Sequence, residues 1–174
     1  MAERRKDLKI TVITKTDVGE TNTRYAQGGV AAVWNLKVDN YQKHIADTLD
    51  AGDGLCNNEI VKIVVEEGPI RVQELIDWGT KFDQRNGQYD LGREGGHSEN
   101  RILHYKDLTG WEIQRALIAK VNEFKNVQIR ERIHAIDLIT QHHLGYTVTR
   151  VTPNICCYWA YIQDKSKNEI EKIT

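Results

Sequence analysis

The pattern of apolar and polar positions changes character along the chain. Leu8–Thr14 is β-branched and nearly alternating, which predicts a strand. It follows a charged stub resembling the last turn of a helix. Asp17–Asn22 supplies turn chemistry. Tyr41, Ile45 and Leu49 recur at helical spacing, so a helix is expected over Asp39–Ala51, stopped by Gly52. Asn57 or Asn58 can cap a second helix, Glu59–Glu67, ended by Gly68. Pro69 suits the first position of a third helix, whose apolar face is Ile70, Val72, Leu75 and Ile76 and which ends at Gly79. Arg85–Asn100 is polar and glycine-rich and reads as a loop. Thr109–Glu112 has the form of a capping box, opening a fourth helix with Ile113, Leu117 and Val121 on one stripe.

Beyond Phe124 the texture turns to short strands, expected at Val127–Glu131, Ala135–Thr140, Tyr146–Val151, Ile155–Gln163 and Glu169–Thr174. Gly145 fits a turn and Asp164–Asn168 a hairpin loop. Strand, helices, then a β-rich stretch is the order of an open α/β sheet with a β-meander. Both ends read as cut from a longer architecture.

Composition narrows the class. At 174 residues the chain is long enough for one domain, and its formal net charge of -1 mixes both signs. The short basic cluster Arg4–Lys6 is terminal, so no nucleic-acid partner is expected. No apolar run approaches the roughly 20 residues needed to cross a bilayer, so no membrane partner is expected either. The first residues are charged and lack the apolar core of a signal peptide. Cys56, Cys156 and Cys157 fit no disulfide or zinc spacing, which suits reduced thiols in the cytoplasm.

Two segments carry chemistry. In Thr21–Val33, Gly28 and Gly29 remove Cβ atoms and let a flat ligand approach the backbone. Asn22, Thr23 and Gln27 add short polar groups, and Ala26, Ala31 and Ala32 keep the surroundings small. The segment fits either such a cradle or a plain glycine turn leading into a small-residue strand. The second segment, Arg93–Ser98, is followed by Arg101 and His104. It places a carboxylate, two glycines, an imidazole and a hydroxyl together, and fits a polar substrate site or a charged surface loop. His97 and His104 lack a usual zinc spacing, and no metal site is expected. His142-His143 reads as an exposed loop end. Cys156-Cys157 is placed mid-strand, with one side chain inward and the other outward. No nucleophilic triad, Walker motif or Gly-x-Gly-x-x-Gly turn is present.

Taken in order, Asn22–Gly29, Asp47–Gly52, Leu91–Ser98, Arg101–His104 and Asp107–Gly110 resemble the L-aspartate oxidase branch of the succinate dehydrogenase/fumarate reductase flavoproteins. The resemblance runs over almost the whole chain. It implies an α/β fold: a partial Rossmann-like FAD-binding domain with a β-meander, lacking its N-terminal strand and Gly-rich turn. Residues 8–123 would hold the strand and helices and 127–174 the β-rich part. The capping and C-terminal helical domains would lie outside the chain.

For cofactor binding the resemblance implies Lys15 on the adenosine side. Asn22, Thr23, Arg24, Tyr25, Ala26, Gln27, Gly28 and Gly29 would lie along the isoalloxazine and ribityl chain, and the backbone of His134 and Ala135 near adenine. Glu94 would orient the substrate, with His97 and Ser98 beside it. The family's catalytic arginine and histidines match nothing here. Succinate dehydrogenases carry a flavin-linked histidine where Asn22 falls, so noncovalent FAD is implied. The reaction implied is oxidation of L-aspartate to iminoaspartate, with oxygen or fumarate as acceptor. The product would pass to quinolinate synthase in de novo NAD biosynthesis. The chain alone is expected to be inactive. Two departures stand out: Trp111 replaces an arginine of the family pattern, and Trp159 a glycine. Two other readings remain: a soluble fumarate reductase-like flavoprotein, and a noncatalytic interaction domain on the same scaffold.

Overall fold

The computed structural model describes residues 1–173. In chain order the elements are β1 (Ile10–Ile13), a 3-10 turn (Thr23–Tyr25), β2 (Val30–Ala31), α1 (Tyr41–Ala51), α2 (Asn58–Asp77), β3 (Gln84–Arg85), β4 (Gln88–Tyr89), β5 (Ile102–Leu103), α3 (Thr109–Asn122), β6 (Val127–Arg130), β7 (Ile133–Ile139), a 3-10 turn (Gln141–Leu144), β8 (Trp159–Asp164) and β9 (Glu169–Ile173). The chain divides into two units, Thr21–Glu123 and the pair of segments Met1–Glu20 and Phe124–Thr174.

In the two-segment unit, β1 pairs with β6 in parallel, Ile10 opposite Val127. β1 falls within the strand expected at Leu8–Thr14, with Thr11 and Val12 exposed. Asn126 Nδ2 donates to the carbonyls of Ala2, Arg5 and Leu8 and fastens the N-terminal stub. β7, β8 and β9 form an antiparallel meander that buries Ile133, Ile139 and Ile162. Arg130 bridges Asp164 and Glu171 behind it.

Two expectations fail in this unit. Tyr146–Val151 forms no strand, and Cys156 and Cys157 precede β8 with both side chains exposed. Polar groups hold that stretch in loop form: Gln141 donates to the Asn154 carbonyl and accepts from the Cys156 N–H. Trp159 meets solvent, and the Lys172 ammonium sits 4.3 Å from the centre of its ring. Thr174, the expected end of the last strand, lies outside the described residues.

In the Thr21–Glu123 unit the core is Ala32, Val72, Phe82 and Leu103, with Trp34, Tyr89 and Ile113 packed against it. The glycine and proline at positions 68 and 69 do not break the chain into two helices. α2 runs through both, because Val65 and Val72, seven residues apart, bury on one face and hold it continuous. The proline forfeits a single backbone bond. Ile70, expected inward, is exposed. Within the expected loop 85–100, Asn86 and Gly87 both take positive φ and turn a hairpin between β3 and β4.

The capping box does not form. Leu108 is the cap residue, and the Thr109 hydroxyl accepts from Tyr105 N–H. Glu112 is buried and accepts from Lys81 N–H at 2.8 Å while pairing with Arg115. Gly110 explains how α3 starts where it does. Its N–H donates to the Ala26 carbonyl, and a Cβ there would stand 1.8 Å from the Thr23 carbonyl oxygen.

Gly110→Ala is therefore expected to destabilise the protein by about 1–3 kcal/mol, because backbone must move. Gly68→Ala, where a Cβ meets nothing within 4 Å, is expected to stabilise it by about 0.4–1 kcal/mol. Urea unfolding of both variants checks the pair, and equal effects would contradict this account of Gly110.

Candidate functional site

The Asn22–Gly28 stretch runs along the surface of its unit, with its short side chains exposed. Its back is fixed by α3. Besides the Gly110 contact, the Thr21 hydroxyl donates to Gln114 at 2.7 Å. Gly29 is packed from behind, since a Cβ there would lie 2.2 Å from Ile102 and 2.5 Å from the Leu103 carbonyl. Gly28 faces the other way, and its nearest neighbour would be a Glu94 carboxylate oxygen at 3.3 Å. The two adjacent glycines thus do different work: Gly29 admits a strand behind it, and Gly28 leaves room for the Glu94 carboxylate.

A cavity of about 490 Å³ is lined by Gln27, Gly28, Gly29, Arg93, Glu94, His104, Lys106 and Asp107 among others. Glu94 accepts from Gly29 N–H at 3.4 Å. His104 Nδ1 lies 3.2 Å from Asp83, which also accepts from Lys106 N–H. The cavity wall therefore carries two carboxylates, Glu94 beside the glycines and Asp107, together with the cationic side chains of Arg93 and Lys106.

Glu94, His97 and Ser98 were expected to act together, but their polar groups part company. Only Glu94 lines the cavity. The Ser98 N–H and hydroxyl both donate to Asp47 Oδ2 at 2.8 Å, and His97 Nδ1 lies 3.2 Å from Arg101. Arg101, fully buried, grips Asp39 with two bonds of 2.8 Å and reaches Asp47 at 2.5 Å. This fork-shaped pairing suits a guanidinium and not an ammonium. Burial opposes the charge on Asp47, but the Ser98 N–H and the Arg101 guanidinium outweigh it and lower its carboxyl to about 2. Burial likewise opposes the charge on Asp39, and Arg101 still holds its carboxyl below the usual range.

His44, on α1, is buried beside this network, its ring 5.6 Å from that of His97. Burial, then Arg101 and His97, push its pKa down. Asp39 and His44 escaped the sequence reading. The available signal was the helical spacing of His44 and Asp47, which puts both on one face of α1.

The other expected cofactor residues lie in the two-segment unit. Lys15 follows β1 and is exposed. The Thr14 and Thr16 carbonyls on either side of it accept from Ile133 and Arg132 N–H, next to His134 and Ala135 on β7. Lys15, His134 and Ala135 thus share one corner of that unit.

The FAD binding domain family matches residues 1–172. The chain belongs to that family. FAD is the cofactor of this domain, and the exposed Asn22–Gly28 run, backed by α3 and with no Cβ at Gly28 beside Glu94, fits a flat ligand with polar edges. The chain is 40% identical over 168 residues to an L-aspartate oxidase of Yersinia pestis, covering 94% of the chain and 30% of that protein. It is 48% identical over 132 residues to the chloroplastic L-aspartate oxidase of Oryza sativa subsp. japonica, covering 75% of the chain and 20% of that protein. The chain thus spans a third or less of these relatives. An E. coli quinol fumarate reductase structure shares the domain's fold, with a TM-score of 0.85 at 24% identity over 99% of this chain and 27% of its own. No helix among the described residues is long and apolar enough to cross a membrane.

Replacing Arg101 with methionine in this FAD binding domain would leave buried Asp39 without its cation. The expected loss is about 3–5 kcal/mol of unfolding free energy, read by denaturant titration, and a neutral result would show that the network adds nothing. The depressed carboxyl of Asp47 sets a pH window. Its contribution is complete above the unfolded value near 3.8 and is lost as pH falls toward the folded value of about 2. Asp47→Asn is expected to remove about 2 kcal/mol of acid-labile stability between those limits. Parallel acid-unfolding curves for wild type and variant would contradict that.

Proposed function

We propose that the chain is the flavin-binding part of a longer FAD-dependent L-aspartate oxidase that converts L-aspartate to iminoaspartate. The observation that carries this reading is Glu94 held beside Gly28 and Gly29 at a cavity of about 490 Å³. The names of the relatives at 40% and 48% identity support it. Asn22–Gly29 would lie along the isoalloxazine side of the cofactor, and Lys15, His134 and Ala135 along the adenosine side. The parallel β1–β6 pair would be part of a Rossmann-like sheet. Parallel strands are ordinarily covered on both faces, so exposed Val12 suits a sheet face covered by another layer of the longer protein.

L-Aspartate carries one ammonium and two carboxylates. Glu94 supplies the anion for the ammonium, and Arg93 and Lys106, which line the same cavity, supply cations for the carboxylates. Bound FAD would accept the electrons removed at Cα. His97 and Ser98 act at one remove, as positioning residues that fasten the Glu94 loop to Asp47 and Arg101. Asn22, whose amide is a poor nucleophile, leaves the flavin uncoupled. The acceptor would be oxygen or fumarate, and iminoaspartate would pass to quinolinate synthase.

In the full-length enzyme, Glu94→Gln is expected to lower kcat/KM for aspartate by about ten- to a hundredfold, the worth of a hydrogen bond to a charged group. Acid precipitation of the same preparation is expected to leave all the flavin in the supernatant. Unchanged aspartate kinetics, or higher activity with succinate than with aspartate, would overturn the reading. Flavin in the pellet would overturn the noncovalent assignment.

A further inference from the structure

In the two-segment unit, the turn after β7 brings together three metal-ligating side chains that the flavin chemistry does not use. Asp137, His142 and His143 each offer one ligand atom, and these atoms lie within 4.8 Å of one another. His143 Nε2 is 3.3 Å from Asp137 Oδ2. Two ligands bonded to one tetrahedral zinc at about 2.0–2.2 Å sit roughly 3.3–3.5 Å apart, so this pair already has the spacing of a tetrahedral edge.

The fold arranges these groups in several ways. The β7–β8 register shifts between Ala135 and Asp137, a bulge-like irregularity of the kind that re-aims a side chain. The other Asp137 oxygen, Oδ1, accepts from Leu138 N–H at 2.8 Å, leaving Oδ2 as the presented atom. Thr140 Oγ1 lies 2.8 Å from His142 Nδ1 and orients that ring, as outer-shell partners of metal-bound histidines do. The 3-10 turn carrying both histidines is held by Gln141, which bonds the Asn154 carbonyl and the Cys156 N–H. The two imidazole rings lie 3.8 Å apart between centroids.

We propose that Asp137, His142 and His143 form a surface site for a divalent cation of the zinc class. Two imidazoles and one carboxylate are ligands for borderline ions such as Zn²⁺, and fit poorly the all-oxygen shells of Ca²⁺ or Mg²⁺. Three protein ligands leave a fourth position to water. Binding would draw the ligand atoms, now within 4.8 Å of one another, to coordination distance through side-chain rotation at this exposed turn. The site is independent of the flavin reading, since none of its residues belongs to the expected cofactor or substrate set.

The test is a titration of the full 174-residue chain with zinc chloride against a chromophoric chelator. The expected result is uptake of one equivalent, weakened at least about tenfold by Asp137→Asn and by His143→Ala, and abolished when His142 and His143 are both alanine. The Cys156→Ser/Cys157→Ser variant should keep its equivalent, and magnesium should not compete. All three ligands are exposed, so circular dichroism should show the variants folded. No uptake would reduce the cluster to a His143–Asp137 side-chain contact and overturn the proposal. Zinc binding that survives loss of both histidines, or that disappears with the cysteines, would also overturn it.

Discussion

A buried guanidinium organises the part of this protein that faces the cavity. Arg101 sits just before β5, and Asp39 just before α1, 62 residues earlier in the chain. Their two parallel bonds join the strand that backs Gly29 to the helix that carries Asp47. Asp47 then takes two bonds from Ser98 and so anchors the far end of the Glu94 loop. A charge removed from water has a large desolvation cost, and that cost is offset only with every donor placed well. The geometry is therefore close to all-or-none. A hydrophobic contact could hold β5 and α1 together, but it would leave the loop free to slide.

This explains why the Glu94 segment needs little regular structure. Between β4 and β5 the chain makes only an isolated bridge at Gly92 opposite Ile102. The loop is defined at one end by that bridge and at the other by Asp47 and Arg101, with Glu94 between them. Its carboxylate is aimed at Gly28 by the two ends, not by a helix or strand of its own.

Local features were legible from the residues. Gly52 ends α1, Asn57 caps α2 through the Glu59 and Ile60 N–H groups, and β8 and β9 meet across a short loop. Each depends on neighbours within a few positions. The failures came where distant partners outvoted a local signal. Thr109 and Glu112 have the residues of a capping box, but Lys81 N–H and Arg115 claim the glutamate. The glycine and proline at positions 68 and 69 look like a stop, but packing at Val65 and Val72 on either side overrides them. Asn86-Gly87 was a readable hairpin signal inside a segment too polar overall to suggest strands. The candidate site was half legible. Glu94 and the glycines announce themselves by type, whereas Asp39 and His44 look like ordinary helix-end and helix-surface residues until Arg101 is folded against them.

The divergence of His97 and Ser98 from Glu94 follows from the same constraint. All three lie within five residues, and proximity in sequence suggested a shared task. Asp47 has two oxygens, and Oδ2 accepts from Ser98 and from Arg101 together. A serine bound in this way cannot also present its proton to a ligand in the cavity. The His97 ring is likewise committed toward Arg101. The division between the residue that faces the cavity and those that fasten the loop is thus set by Arg101, whose need for buried partners draws His97 and Ser98 toward its pair with Asp47 and leaves Glu94 at the cavity wall.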